Sequence, residues 1–375
     1  MINILIAGDF VPQKSAAKKF DEGCFEDVLG EIRPVVEKTD FSLINLEAPI
    51  VEGEGVPIKK AGPNLKCSKS AIDALCYAGF KGVTLANNHF YDYGEEGALD
   101  TLSLLNKAGI VFVGAGKNLK EASRVLYQPV ADKTLAFINC CEHEYSIATD
   151  QTAGSNPINP VCQYYAIKEA KAKADYIIVV VHGGIEGYRL PTPRMQDWYR
   201  FFIDCGADVV VNHHQHCYSG YEIYQGKPIF YGLGNFCFDK NLQGSPFWYE
   251  GYMVNLSFGE GDVHFEMIPY IQCCKNSIVE LLVEKDVFFK EISQLNTIIN
   301  DRDALDVEYK TYMDKTMKSQ RYILCPYRNK YLAALFVRGY LPDILPLGRW
   351  RDLQNKIMCE SHRERFLYFI NNKLK

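Results

Sequence analysis

The sequence contains no run of about eighteen apolar residues, so no segment reads as a spanning helix. It also has no basic excess: the formal charge is −5, and the field that would hold nucleic acid is missing. Thirteen cysteines occur without C-x-x-C spacing, and two pairs, Cys140-Cys141 and Cys273-Cys274, are adjacent. That pattern argues against a disulfide framework or a zinc ribbon and for reduced thiols. No basic, apolar and small-residue leader precedes the first strand at Ile2, so the expectation is a cytoplasmic protein. Internal repeats and low-complexity tracts are absent as well.

What is present is ordinary for a globular chain, with 47% hydrophobic and 23% charged residues. A length of 375 residues allows one large α/β domain, or one domain with an appendage. Strand and helix patterns alternate. Ile2–Ala7 is a strand that ends in Gly8-Asp9, and Asp40–Glu47 is a second that ends in Asn45-Leu46-Glu47. A helix is expected over 26–38, with Pro34 its weak point. Residues 51–66, rich in Gly, Pro and Lys, read as a loop over the site.

Ser70–Ala78 is a short helix closed by Gly79, and 82–86 is a strand delivering Asn87-Asn88-His89. Further strands are expected at 110–113, 134–138 and 176–181, the last followed at once by His182-Gly-Gly-Ile-Glu186. Helices are expected at 165–174 and 194–205. Gly220–Tyr231 reads as a hairpin turning at Gln225-Gly226, and 252–268 as an antiparallel pair around Gly259-Glu-Gly. Beyond residue 285 long helical periodicity takes over, which divides the chain into a 1–284 domain and a 285–375 helical extension.

Three of the eight histidines fall in Asn212-His213-His214-Gln215-His216, behind the buried run Val209–Val211. If the backbone stayed extended, His214 and His216 would point the same way. Asp9, Asn45 and Glu47, Asn88 and His89, His182, and His214 and His216 all follow strands at their carboxyl ends, the edge where α/β sheets bind ligands. The set offers oxygen and nitrogen donors for one or two divalent ions (manganese, iron or zinc) sharing a carboxylate. Soft donors are missing from it, which argues against an iron–sulfur cluster. His213 reads as structural, Asp92 as a cap on the following helix and a support for His89, and Asn235 and Asp239 as pocket borders.

Six ordered motifs carry a resemblance: Gly8-Asp9, Asn45-Leu46-Glu47, Ala86–His89 with Asp92 and Gly94, His182–Glu186, Asn212–His216, and Tyr231–Asp239. Over roughly residues 1–270 they resemble the CapA family of poly-γ-glutamate capsule synthesis proteins, within the calcineurin-like metallophosphatase superfamily. The resemblance implies a four-layer α/β fold, two packed β-sheets flanked by helices. It also implies metal ligands at Asp9, Glu47, Asn88, His182, His214 and His216, with His89 protonating the leaving group. Asn45, Glu186 and Asn235 are then candidates for substrate contact. The pattern departs at Val11, where the superfamily has a histidine ligand, and at Gly183, Asn212 and Gln215, where the family commonly has an aromatic, Gly and Pro.

The expected function is a metal-dependent hydrolase or transferase on a phosphoester or γ-glutamyl amide of an anionic polymer. The alternatives are a metal-holding assembly subunit, docked to synthesis partners by its helical C-terminus, and a metal-dependent peptide epimerase.

Overall fold

A computed structural model describes residues 1–239, 244–245, 247–259, 263–273, 278–323, 325–327, 329–342, 347–358, 362, 366–367 and 369–370. The chain forms two compact units, Met1–Asp306 and Val307–Lys375.

The first unit has four layers. One sheet runs in the order Val279–Leu281, Val263–Gln272, Glu250–Phe258, Ile2–Phe10, Phe41–Leu46, Gly82–Thr84, Val111–Val113, with Asn235–Cys237 also pairing with Ile2–Phe10. The other runs Tyr221–Tyr224, Lys227–Phe230, Val209–His213, Tyr176–His182, Lys133–Cys141, Leu126–Val130. Side-chain alternation along a strand assigns the layers. Ile4 and Ile6 face inward to a core shared with Phe137, Ile178, Val180, Val209 and Val211 of the opposing sheet. Leu5 and Ala7 face outward, against Phe20, Ile72, Leu75, Leu102 and Leu105 of the helices Lys14–Asp21, Ser70–Ala78 and Gly94–Ala108. Helices Pro160–Ala170 and Pro193–Cys205 accompany the second sheet, where Tyr199 Oη donates to Asn212 Oδ1 at 2.6 Å.

The strands that matter for the site are parallel. Ile2–Phe10, Phe41–Leu46 and Gly82–Thr84 run together, as do Lys133–Cys141, Tyr176–His182 and Val209–His213. Their carboxyl ends therefore open on one edge, and the polar punctuation of the sequence collects there.

Several expectations shift. The helix expected over 26–38 is two pieces, Glu26–Leu29 and Arg33–Glu37, and Pro34 sits in the first turn of the second, where its missing N–H costs nothing. The helix expected at 165–174 starts earlier, at Pro160–Ala170, because Asn159 caps it through Val161 N. Gln225 and Gly226, at φ 50° and 77°, form the mirror-type hairpin turn. The turn expected at Gly259-Glu-Gly lies, from residue 260, outside the described residues.

Helix Asp286–Ile299 belongs to the first unit. It buries Phe288, Ile292 and Ile299, its Asn296 Oδ1 accepts from Tyr221 N at 2.7 Å, and Gln196 Nε2 donates to Ile299 O at 2.8 Å. Helix Arg302–Ile323 spans the unit boundary. The second unit also contains Lys330–Val337, capped by Asn329, and Leu347–Met358. No helix among the described residues is long and apolar enough to cross a membrane.

Candidate metal centre

The site begins where Ile2–Phe10 approaches the loop at Gly234. A Cβ on Gly8 would lie 2.0 Å from Gly234 O, so only glycine fits, and Asp9 N then donates to that same carbonyl at 3.1 Å. Asp9 is 1% exposed. Its Oδ1 accepts from Asn45 Nδ2 at 2.7 Å and its Oδ2 from His214 N at 3.2 Å.

Four donor atoms converge on the other side of Glu47. His182 Nε2 lies 3.0 Å from Asn88 Oδ1, 3.0 Å from His214 Nδ1 and 3.3 Å from Glu47 Oε1. His216 joins from the Asp9 side, with Nε2 3.7 Å from Glu47 Oε1 and Nδ1 3.6 Å from Asp9 Oδ2. Nδ1 of His216 also meets Asn235 Oδ1 at 2.9 Å, which leaves Nε2 to face Glu47. Among the described residues three groups offer donor atoms mutually within 4.8 Å: Glu47/His182/His214, Asp9/Glu47/His216 and Glu186/His214/His216.

Glu47 decides what this cluster can hold. It is fully buried and neither carboxylate oxygen has a hydrogen-bond donor. Burial, then Asp9 and Glu186 nearby, push its carboxyl well above the usual range. An unpartnered carboxylate in such a place costs several kcal/mol, which a cation among these donors would remove. Mixed imidazole, amide and carboxylate donors fit a borderline divalent ion.

The neighbours are tuned in the same sense. Burial alone would raise Asp9, but the close approach of His213 and the charges of His182 and His216 outweigh it and hold the carboxyl below the usual range. Burial, reinforced by His214, keeps His182 well below the ordinary imidazole value, and burial likewise lowers His214. Both can thus offer a neutral imidazole nitrogen at neutral pH.

The histidine pair is positioned differently from expectation. The strand Val209–His213 stops before it, and His214 and His216 adopt φ of 91° and 54° instead of an extended course. Left-handed backbone at two non-glycine residues costs on the order of 1–2 kcal/mol each. Gln215 holds it: its Nε2 donates to Tyr188 O at 2.8 Å and Leu190 O at 3.0 Å, and its backbone carbonyl accepts from Gly187 N at 2.8 Å. Those bonds also fasten the loop that brings the exposed Glu186 to His214 and His216. The departure at 215 thus has a physical role, as does Asn212, whose Nδ2 ties Gly183 O to Tyr231 O.

His89 and Asp92 form a dyad, Nδ1 to Oδ2 at 2.6 Å. Asp92 does not cap the helix Gly94–Ala108, whose N-cap Tyr93 makes no side-chain cap bond; its carboxylate accepts instead from Leu65 N at 2.7 Å and from Lys60. Lys60 is the residue the sequence reading missed. Its side chain is 3% exposed and its Nζ lies against Asp92 Oδ1 and 3.2 Å from His89 Nδ1. The only signal was its place in the loop already expected over the site. Burial, with Lys60 and His216 adding to it and Asp92 opposing, lowers the His89 imidazole.

His213, read as structural, is 2% exposed with both ring nitrogens unbonded, and its Nδ1 is 3.3 Å from Asp9 Oδ1. Asn45 and Asn235, expected at substrate contacts, are buried beneath the site, where Asn45 bridges Asp9 and His182 (3.2 Å to Nδ1) and Asn235 orients His216. Asp239 lies at the first helix, accepting from Gln13 N and Ala16 N. Val11 is buried and offers no donor, so the Asp9 group offers three candidate donors where the Glu47, Asn88, His182, His214 group offers four.

A four-layer α/β sandwich with this donor cluster at its parallel strand ends has a metallophosphatase-like fold. Within that class the chain belongs to the family described as bacterial capsule synthesis protein PGA_cap, whose sequence profile matches residues 3–240. It is 30% identical over 247 residues to the capsule biosynthesis protein CapA of Bacillus anthracis, covering 64% of this chain and 60% of that protein. It is also 30% identical over 243 residues to the PGA biosynthesis protein CapA of Bacillus subtilis (strain 168), covering 64% of each. The chain therefore spans under two thirds of the length of these relatives. Among solved structures it is similar to a putative 5′-nucleotidase from Staphylococcus aureus, with a TM-score of 0.45, 16% identity and coverage of 78% of this chain and 58% of that one. It is similar too to a phosphatase from Mycoplasma pneumoniae, with a TM-score of 0.42, 16% identity and coverage of 77% and 96%.

Proposed function

We propose that this chain is a metal-dependent hydrolase or transferase of capsular-polymer synthesis, working in the cytoplasm on a phosphoester or γ-glutamyl amide bond. The observation that carries this reading is the buried, unpartnered Glu47 carboxylate facing His182 and His216. Glu47, Asn88, His182 and His214 would hold one divalent ion, and Asp9, Glu47 and His216 a second, held less firmly because Val11 adds nothing. When bound, such an ion polarises a carbonyl or phosphoryl oxygen and makes water acidic enough to attack at neutral pH.

The chain's own residues do the rest. Asp92 fixes His89 through Nδ1, which leaves Nε2 to carry a proton to the leaving group. Lys60, ion-paired with the other Asp92 oxygen, holds that orientation. Glu186, at the mouth, faces the substrate or the second ion.

Metal analysis of protein purified without chelator, followed by a panel of bis-p-nitrophenyl phosphate and γ-glutamyl peptides, tests this. Bound metal and turnover that His182→Ala abolishes support it. Substoichiometric metal, with wild type and variant alike across the panel, sinks it. The buried Val11 favours a second reading, a metal-holding assembly subunit, for which metal is retained and no substrate in the panel turns over.

A further inference from the structure

From Val307 onward the chain carries fourteen Lys and Arg against six Asp and Glu, a net of +8. The preceding 306 residues carry 27 against 40, a net of −13. The modest total of −5 therefore hides two parts of opposite sign.

The second unit also leaves large apolar groups outside. Tyr331 is 69% exposed, Tyr340 75%, Ile357 55% and Phe369 56%, while among its described residues only Ala333 and Phe336 are buried apolar side chains. The bases lie among them: Lys330 starts the Lys330–Val337 helix, and the exposed Arg349 and Arg351 flank Trp350 in Leu347–Met358. Helices rich in Lys and Arg that expose aromatic and aliphatic groups have the makeup of segments that lie in a lipid interface. Bases meet anionic headgroups there, and apolar groups reach the acyl boundary.

We propose that the second unit is a peripheral membrane-binding module for anionic phospholipid surfaces. It lies on such a surface and does not span it, since no described helix is long and apolar enough to cross. A polycarboxylate chain would satisfy the +8 charge but offers nothing to the exposed Tyr331, Tyr340 and Ile357; a bilayer satisfies both. The −13 of the first unit is repelled by the same surface, so attachment falls to the second unit.

The test is vesicle flotation of the full chain at about physiological salt, where the Debye length is roughly 8 Å. Vesicles of equal phosphatidylglycerol and phosphatidylcholine are compared with phosphatidylcholine alone, and binding to immobilised poly-γ-glutamate is measured beside them. The full chain is expected to float with the anionic vesicles at least tenfold better than with neutral ones. The triple change Lys330→Glu, Arg349→Glu, Arg351→Glu, all at exposed positions, is expected to abolish this, with the circular dichroism spectrum preserved. A milder Ile357→Asn change is expected to weaken it severalfold. Equal flotation with both vesicles overturns the proposal. Capture by the polymer without vesicle binding also overturns it, in favour of a polyanion site. An Ile357→Asn protein that floats like wild type overturns the interfacial insertion on which the choice of lipid rests.

Discussion

The two units solve opposite problems. The first hides ionisable groups: Asp9, Glu47, Lys60 and Asp92 are all buried, and their charges are met by one another or left facing imidazoles. The second exposes apolar ones, with Tyr331, Tyr340 and Ile357 outside and, among its described residues, only Ala333 and Phe336 buried as apolar side chains. Both arrangements are unfavourable for the chain in isolation, one by desolvation and one by hydration of apolar surface. Each therefore points to something that completes it: a cation in the first case, a surface in the second.

The largest expected effect breaks the first half of that contrast. Glu47→Gln removes the buried charge while keeping its shape. Metal binding should vanish, and the stabilisation given by saturating manganese, about 2.7–4.1 kcal/mol at 100 to 1,000 times Kd, should vanish with it. The metal-free variant should melt no lower than metal-free wild type, because the amide replaces a buried carboxyl that has no hydrogen-bond donor. Thermal melts with and without metal decide this. A full metal-dependent rise in the variant would remove Glu47 from the centre.

Next in size is chemistry without loss of metal. His89→Asn should lower turnover by about 10²–10⁴-fold at unchanged metal content, the usual worth of a positioned acid. Lys60→Met should lower turnover less, by loosening the Asp92–His89 pair. If His89→Asn instead empties the centre, His89 is a ligand and the proton donor lies elsewhere.

The third effect tests where the first unit ends. The buried Phe288 ring packs tilted against Tyr218 and edge-on against Tyr252, with centroids 5.0 and 5.8 Å away, so Phe288→Ala should cost about 3–5 kcal/mol. Calorimetry should show that loss in the transition that metal shifts, because Asp286–Ile299 packs on the sandwich. A loss confined to another transition would detach this helix from the first unit.

The parts of this molecule legible in its sequence are those governed by local pattern. Apolar runs ending in Gly8-Asp9, Asn45–Glu47 and His182 gave both the strands and the edge on which their polar ends meet. Long-range placement was not legible. Lys60 reaches Asp92 across 32 positions, and nothing in a Gly- and Pro-rich loop says which of its lysines turns inward. Gln215 was visible only as a departure from Pro; that it straps Tyr188 and Leu190 follows from a left-handed turn no pattern announces. The charge reversal at Val307 was legible but hidden by the net value, since −13 and +8 cancel to an ordinary number.

The smallest expected effect sharpens the same boundary through pH. The Arg189 guanidinium lies between the rings of Tyr218 and Phe247, 4.2 and 4.1 Å from their centroids, with Nη2 2.8 Å from Glu291 Oε2. Burial acts to raise the Glu291 carboxyl, but Tyr218 and Arg189 outweigh it and hold it below its usual value. A folded-state value below the unfolded one contributes stability that is present above pH about 4.5 and is lost as pH falls through the lower folded value. The pair is partly exposed, so its contribution at neutral pH should stay under about 1 kcal/mol. Urea midpoints of wild type and Glu291→Gln should therefore differ slightly at neutral pH and converge as pH falls through the lowered Glu291 value. Because Glu291 lies in Asp286–Ile299 and Arg189 in the loop after Tyr176–His182, that convergence ties the helix to the centre's own loop. A difference that stays constant with pH would leave the contact as packing alone, and the helix held by Phe288 and Ile292 without its charge.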